Sequence, residues 1–174
     1  ICGGYQMLGR RILDPGHVES ADAEIAGLGL LDVETTFAGE KRTVRVEGEL
    51  TGVALGPTGT ALRGYEIHMG RTQRTGQTGS LVRLRTADGP VHEDGAASRR
   101  GTVCGCYVHG LFDHPALRTA FLNDLRAAAG LPLHGPDAGA AAAGAVTADL
   151  DRLADHVQEH LDMAALDEII GAPS

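Results

Sequence analysis

Ile1-Cys2-Gly3-Gly4-Tyr5-Gln6-Met7-Leu8-Gly9 opens the chain and carries most of what the sequence says about its fold. A lone cysteine stands between an apolar residue and two glycines. An apolar, helix-compatible segment follows, with Met7, Leu8 and Ile12 on one helical stripe. The pattern predicts a strand that ends in a sharp turn and opens a helix, with the thiol at the turn. A nucleophile placed there gains from the partial positive charge of the helix N-terminus, which favours a thiolate. The amide of Gly3 is free to meet an oxyanion. The logic parallels the serine elbow of hydrolases, with sulfur for oxygen. No methionine precedes Ile1, and the strand that should deliver Cys2 is reduced to one residue. The expectation is therefore the C-terminal part of something longer.

At 174 residues the chain is one domain or most of one. Hydrophobic residues make up 43%, enough for a core, but aromatics are only 3% and Trp is absent. Leu, Val, Ile and Ala must fill the interior. The formal net charge of -8 disfavours nucleic acid and anionic membranes as partners. No apolar run approaches the ~20 residues of a membrane span. Cys2, Cys104 and Cys106 are an odd number and suggest no disulfide framework, which fits a reducing, cytoplasmic setting. Lys41 is the only lysine, and no G-x-x-x-x-G-K-[ST] loop surrounds it. A phosphate-binding loop for ATP is not expected in this segment.

Beyond the cysteine, Asp14-Pro15-Gly16 stops the helical stripe. Residues 28–37, 43–50, 64–72 and 81–86 read as strands. Residues 101–108 (GTVCGCYV) read as a buried strand that delivers His109-Gly110 at its end. Pro115 suits a first helical position, with Asp113 or His114 as cap and Leu117, Phe121, Leu122 and Leu125 on one face up to Gly130. Residues 135–145 are Ala/Gly-rich and are expected to be a flexible loop. Thr147 then caps a helix with the stripe Leu150, Leu153, Val157 and Leu161, and a final short helix packs Leu166 and Ile170.

A catalytic cysteine needs a base, and histidine is the usual partner, distant in sequence but near in space. His109 is the best placed of eight, at the end of a core strand where sites in open α/β sheets collect. His17, His92, His114 and His134 read as solvated loop residues. His156 and His160 read as helix surface, without the pattern or third ligand of a zinc site. Cys104-Gly105-Cys106 reads as two buried structural thiols. Taken singly, Cys2 and His109 would each pass for structural residues.

ICGGYQMLG, GYEIHMGRT and YVHGLFD, in this order, resemble the C-terminal half of the cobyric acid synthases, the glutamine-dependent amidases of cobalamin biosynthesis. The resemblance extends to Ile12-Leu13-Asp14-Pro15, Val18-Glu19-Ser20, Gly27-Leu28-Gly29-Leu30-Leu31 and Leu161-Asp162-Met163. It implies an α/β, class I glutaminase-like (flavodoxin-like) sheet with flanking helices, its first strands missing. The sheet is expected to be parallel, with an unpaired edge. Residues 1–174 would form most of one such domain, and an N-terminal ATP-dependent synthetase domain would be absent. By position, Cys2 is the family's nucleophile, His109 its general base and acid, and Gly3 one oxyanion donor. The second donor would come from a missing upstream loop. Gln6 matches a position that holds substrate in related glutaminases, although an exposed helix glutamine reads the same way.

The resemblance further implies glutamine as substrate and a corrinoid reached through the absent domain. No metal or cofactor is implied for this segment; ATP and Mg belong to the synthetase. Typical triads read His-x-Glu, whereas His109-Gly110-Leu111 has no acid at the third place. Glu66, Asp113 or a carboxylate of the missing domain are candidates to orient His109. Glu66 and His68 otherwise read as strand residues near the cleft, with a role in substrate or interdomain contact. Arg71 is a candidate anchor for the glutamine carboxylate. Two alternatives stay open: a sibling amidotransferase (the a,c-diamide synthase or a cell-wall amidotransferase subunit), or an inactive α/β interaction domain.

Overall fold

The computed structural model describes residues 1–52, 54–135 and 138–171, with backbone alone for Glu40 and residues 138–146. Helix α1 (Gly3–Leu8) leads into strands β1 (Arg11–Leu13) and β2 (Glu24–Ala26). The long hairpin β3 (Val33–Leu50) and β4 (Ala61–Arg74) follows. Short strands β5 (Val82–Arg85), β6 (His92–Asp94), β7 (Ala96–Ala97), β8 (Cys104–Gly105) and β9 (Val108–His109) come next. A 3-10 turn at Leu111–Asp113 then precedes helices α2 (Pro115–Ala128), α3 (Ala138–His160) and α4 (Met163–Ile170).

Seven strands form one sheet along β2-β1-β3-β4-β9, with β5 and β6 branching from β3; β7 and β8 form a separate pair. The mixed α/β class holds, but the expected parallel sheet does not. Among the described residues only β1–β3 runs parallel, while the β3–β4 ladder is antiparallel and extends from Val33/Arg74 to Glu49/Ala61. A hairpin needs only a local turn, so antiparallel pairing follows directly from two adjacent strands. The register of that ladder shifts between Thr36 and Lys41. The two strands read over 28–37 and 43–50 are thus one bulged strand from Val33.

Residues 28–31 never join the sheet. The amides of Leu28, Gly29, Leu30 and Leu31 donate to carbonyls of Met7, Gly9 and Leu8, satisfying acceptors that a short helix leaves open. The helix therefore ends at Leu8, and Ile12 lies in β1 rather than on the expected helical stripe. Gly9 permits the turn, since a Cβ there would sit 2.7 Å from the Val33 carbonyl oxygen.

The hydrophobic interior forms two clusters of buried residues. Val46, Leu50, Leu62, Val82, Leu84, Cys106, Val108, Leu111 and Leu117 form the larger cluster, beneath α2. Tyr5, Leu31, Val33, Ala96 and Tyr107 form the second, against α1. The C-terminal helices pack less than their stripes suggested. Leu117 is buried, but Leu122, Leu125, Leu150, Leu153, Leu161 and Ile170 are exposed. Val157 and Leu166 are half-buried. Helix α3 already runs from Ala138, inside the segment expected to be a loop, so Thr147 is internal to the helix and not its cap. Alanine is the strongest helix former, which outweighs the two glycines of that run. Residues 136–137 of the expected loop lie outside the described residues.

Candidate active site

Cys2 immediately precedes α1 with φ 55° and ψ -121°. Few non-glycine residues adopt such a backbone, and holding one there costs about 1–3 kcal/mol. The expected sharp turn is therefore a strained elbow. Its amide donates to the Cys106 carbonyl (3.0 Å), and its carbonyl accepts from Gln6 (3.1 Å). A Cβ added at Gly3 or Gly4 would meet nothing within 4 Å, so the first turn of α1 is open beside the thiol.

His109 ends β9, where it is the ladder partner of Tyr65 while Val108 pairs with Glu66. The preceding carbonyl, of Tyr107, accepts from the Ile67 amide at 3.2 Å. The Cys2 thiol donates to the Ile67 carbonyl at 3.5 Å. Cys2 and His109 thus belong to one junction, where α1 meets β4 and the 106–109 segment. The Nε2 atom of His109 is buried and has no hydrogen-bond partner. An unpaired buried imidazole nitrogen is costly unless something else engages it.

Neither carboxylate proposed to orient His109 does so. Paired strand residues share a face and successive residues alternate. Glu66 shares its face with Val108, so His109 faces the other way. The Glu66 carboxylate is taken by three other groups: Arg42 Nε donates to Oε2 at 2.8 Å, His92 Nε2 lies 3.2 Å from Oε2, and His68 Nε2 lies 3.3 Å from Oε1. Burial would raise the Glu66 pKa, but the hydrogen bonds from His68 and Arg42 outweigh it and hold the group at about 2. The same contact raises His68 above its ordinary value despite its burial. Asp113 stands beside Gly110, where a Cβ would come within 3.1 Å of its carboxylate, and makes no bond to His109.

Gln6 is buried at 7% exposure rather than exposed. Its Nε2 donates to the Met69 carbonyl (3.3 Å) and the Tyr107 hydroxyl (3.1 Å). That hydroxyl also pairs with Thr72 Oγ1 at 2.5 Å, and Thr72 pairs with Thr35 at 2.7 Å. Tyr107 itself packs edge-on against Tyr5 and stacks on His68 with centroids 4.2 Å apart. Its amide donates to Asp94 Oδ2 at 2.8 Å. Tyr107 therefore ties the helix behind Cys2 to the segment that ends in His109. Sequence reasoning quoted YVHG for its histidine and passed over the tyrosine two residues before it.

Glu66 and Arg71 are brought together elsewhere, on a cavity of about 1280 Å³ that Cys2, Gly3, Gln6 and His109 do not line. His92 lies in β6 and is partly buried against Glu66 rather than solvated. His114 is also partly buried, with an unpartnered Nδ1. Cys106 is buried, and burial pushes its thiol up to about 12; Cys104 is partly exposed and also raised by burial. Among the described residues no group of three His, Cys, Asp or Glu could hold a metal ion. No helix among them is long and apolar enough to cross a membrane.

Comparison with known proteins fixes the class. Residues 1–117 match the CobB/CobQ-like glutamine amidotransferase domain, and the chain belongs to that family. Its mixed α/β architecture is accordingly the class I glutaminase-like one. Among individual proteins, the chain is 43% identical to a cobyric acid synthase of Syntrophobacter fumaroxidans, over 98% of the chain and 34% of that protein. It is 41% identical to one of Dehalococcoides mccartyi with the same coverage. It is 49% identical to one of Alkaliphilus metalliredigens, over 76% of the chain and 27% of that protein. The chain spans about a third of the length of the curated relatives it matches.

Proposed function

We propose that this chain is the glutamine-hydrolysing part of an ATP-driven amidotransferase that amidates peripheral carboxylates of a corrinoid in cobalamin biosynthesis. The family match and the names of its relatives support the overall assignment. The observation that carries the chemistry is the strained backbone of Cys2 at the mouth of an open first helical turn. Strain of this kind persists where surrounding structure enforces it, and it clusters at reacting groups.

In this reading the Cys2 thiol gives its proton to His109, and the sulfur attacks the side-chain amide carbon of glutamine. The carbonyl oxygen becomes an oxyanion beside the Gly3 amide. His109 returns the proton to the leaving nitrogen, ammonia departs, and a γ-glutamyl thioester remains on Cys2. His109 then takes a proton from water, the hydroxide opens the thioester, glutamate leaves, and the released Cys2 sulfur takes the proton back from His109. One oxyanion donor is worth about 2.7–4 kcal/mol and one acid–base group about 10²–10⁴ in rate. Gln6 acts through α1, whose position it fixes by its bonds to the Met69 carbonyl and the Tyr107 hydroxyl.

The resting arrangement still has to change. The thiol proton points to Ile67, and the His109 Nε2 atom has no partner. Catalytic hydrogen bonds often tighten only when substrate is bound. The second oxyanion donor is assigned to a loop upstream of Cys2, and the orienting group for His109 to the synthetase unit, which would also receive the ammonia. ATP and Mg are assigned in this reading to the synthetase unit. The protein would act in the cytoplasm, with all three cysteines as free thiols.

Ammonia release from glutamine tests the reading, measured for the chain alone and with a relative's synthetase unit added. The expected result is slow release alone, acceleration by the added unit, and loss in Cys2→Ser under both conditions. Full activity from residues 1–174 alone would remove the dependence on a partner unit. Turnover that survives Cys2→Ser would remove the thioester route, and no ammonia release under either condition would leave the interaction-domain alternative.

A further inference from the structure

The cavity beside the β3 bulge holds a group of charges that glutamine hydrolysis does not use. Lys41, Arg42, Arg45 and Arg71 line it together with His68 and His92. This is a local concentration of cations in a chain with a net charge of -8 and only 15 Lys and Arg. Glu66 and Asp88 are the acids on its wall. Glu66 is already engaged by Arg42, and its side chain is only 6% exposed, against 44% for that of Arg42.

The way Arg42 is held matters. Glu66 takes its Nε–H at 2.8 Å. Neither Nη group of Arg42 donates to anything among the described residues. A guanidinium gripped at Nε keeps its planar Nη fork free, and that fork matches the two oxygens of a carboxylate or phosphate. His68 and His92, from β4 and β6, close around the same carboxylate and fix it from two further sides. An ion pair with one partner half-exposed contributes little net stability by itself, so its orienting effect is the more informative property. Lys41 and Arg71 are exposed on the two sides of the bulge, and neither pairs with an acid among the described residues. Arg45 is turned to Tyr65, whose hydroxyl it meets at 3.1 Å.

We infer that this cavity binds a small ligand bearing two or more oxyanion groups. The Arg42 fork takes one group, and Lys41 and Arg71 take another. Glu66 is a positioning residue that aims Arg42. The volume of about 1280 Å³ exceeds what a single carboxylate fills and lies above the ~300–1,000 Å³ usual for small-molecule sites, which leaves room for a ligand with several groups. The site is separate from the proposed glutamine site, because none of Cys2, Gly3 and His109 lines it. The inference does not require the glutaminase assignment, and its test reads binding rather than turnover.

The experiment is calorimetric titration of the purified chain with pyrophosphate and, separately, with citrate. The two probes distinguish phosphate from carboxylate as the natural oxyanion. At least one should bind, with affinity that falls as salt rises. Arg42→Lys keeps the charge but loses the fork and should weaken binding about tenfold or more. Lys41→Ala and Arg71→Ala remove exposed cations and should each weaken it about two- to fivefold. Glu66→Gln should also weaken it even though a negative charge is removed from the wall, because Arg42 is no longer aimed. Arg83→Ala, on a different cavity of about 480 Å³, should leave it unchanged. Absence of binding by both probes would overturn the proposal. So would equal binding by the Lys41, Arg71 and Arg83 variants, or tighter binding in Glu66→Gln. Displacement of the probe by glutamine would also overturn it, by making the cavity part of the glutamine site.

Discussion

Replacing Tyr107 with phenylalanine tests how the nucleophile helix is held. The change removes one oxygen from a residue that is 3% exposed and keeps the ring against Tyr5 and His68. Two hydrogen bonds go, to Gln6 Nε2 and to Thr72 Oγ1. Neither partner is stranded: Gln6 keeps the Met69 carbonyl, and Thr72 keeps Thr35. The cost is then that of two net hydrogen bonds without a full desolvation penalty. At about 0.5–1.5 kcal/mol each, the total is about 1–3 kcal/mol. For a chain of this size about 2 kcal/mol corresponds to a Tm lower by about 4–8 °C. Thermal unfolding followed by circular dichroism measures it. The same variant should show faster alkylation of Cys2 by iodoacetamide, read by peptide mass spectrometry, because α1 loses a tie to the 106–109 segment. A Tm within about 1 °C of wild type, far below the shift worked above, would refute the account of Tyr107 as a tie. So would an unchanged Cys2 alkylation rate.

Gly64→Ala should be worse, because the new Cβ would lie 2.2 Å from the His109 carbonyl oxygen and 2.8 Å from Val108. Backbone has to move, so a loss of about 2–4 kcal/mol and weaker amide-exchange protection at Ile67 are expected. Glu66 gives a pH signature. Its folded pKa of about 2 lies below its ordinary 4.5, so its stabilising contribution is complete above 4.5 and is lost as pH falls toward 2. The Tm gap between wild type and Glu66→Gln should therefore shrink as pH is lowered through that window; a constant gap would contradict the network. Cys106, buried with its thiol pushed up to about 12, should stay unmodified by iodoacetamide at neutral pH in the native protein and react only after unfolding.

The features legible in the sequence were those set by local chemistry. A cysteine followed by two glycines announced a sharp turn, and the structure shows Cys2 in a strained backbone there. GYEIHMGRT lies within a strand as read, and Met163–Ile170 is helical as expected, whereas the single strand read over 101–108 is split into β8 and β9, which belong to different sheets. What escaped depends on contacts between distant residues. Leu28–Leu31 looks like a strand but caps a helix twenty residues earlier. Glu66 was linked to the site by its motif, yet Arg42 and His92, which decide what its carboxylate does, come from other strands and carry no motif. The leucine stripes of α2 and α3 have helical spacing, but spacing does not say how much of a stripe a neighbour will cover.

The central claim is that Cys2 is a nucleophile activated by His109. Its most direct test is to treat the native chain with a diazo-ketone analogue of glutamine and locate the adduct by mass spectrometry. The predicted result is a single adduct on Cys2, protected by excess glutamine and formed about tenfold or more slowly in His109→Ala. An adduct on Cys104 instead, or labelling of Cys2 at the same rate with and without His109, would contradict the account.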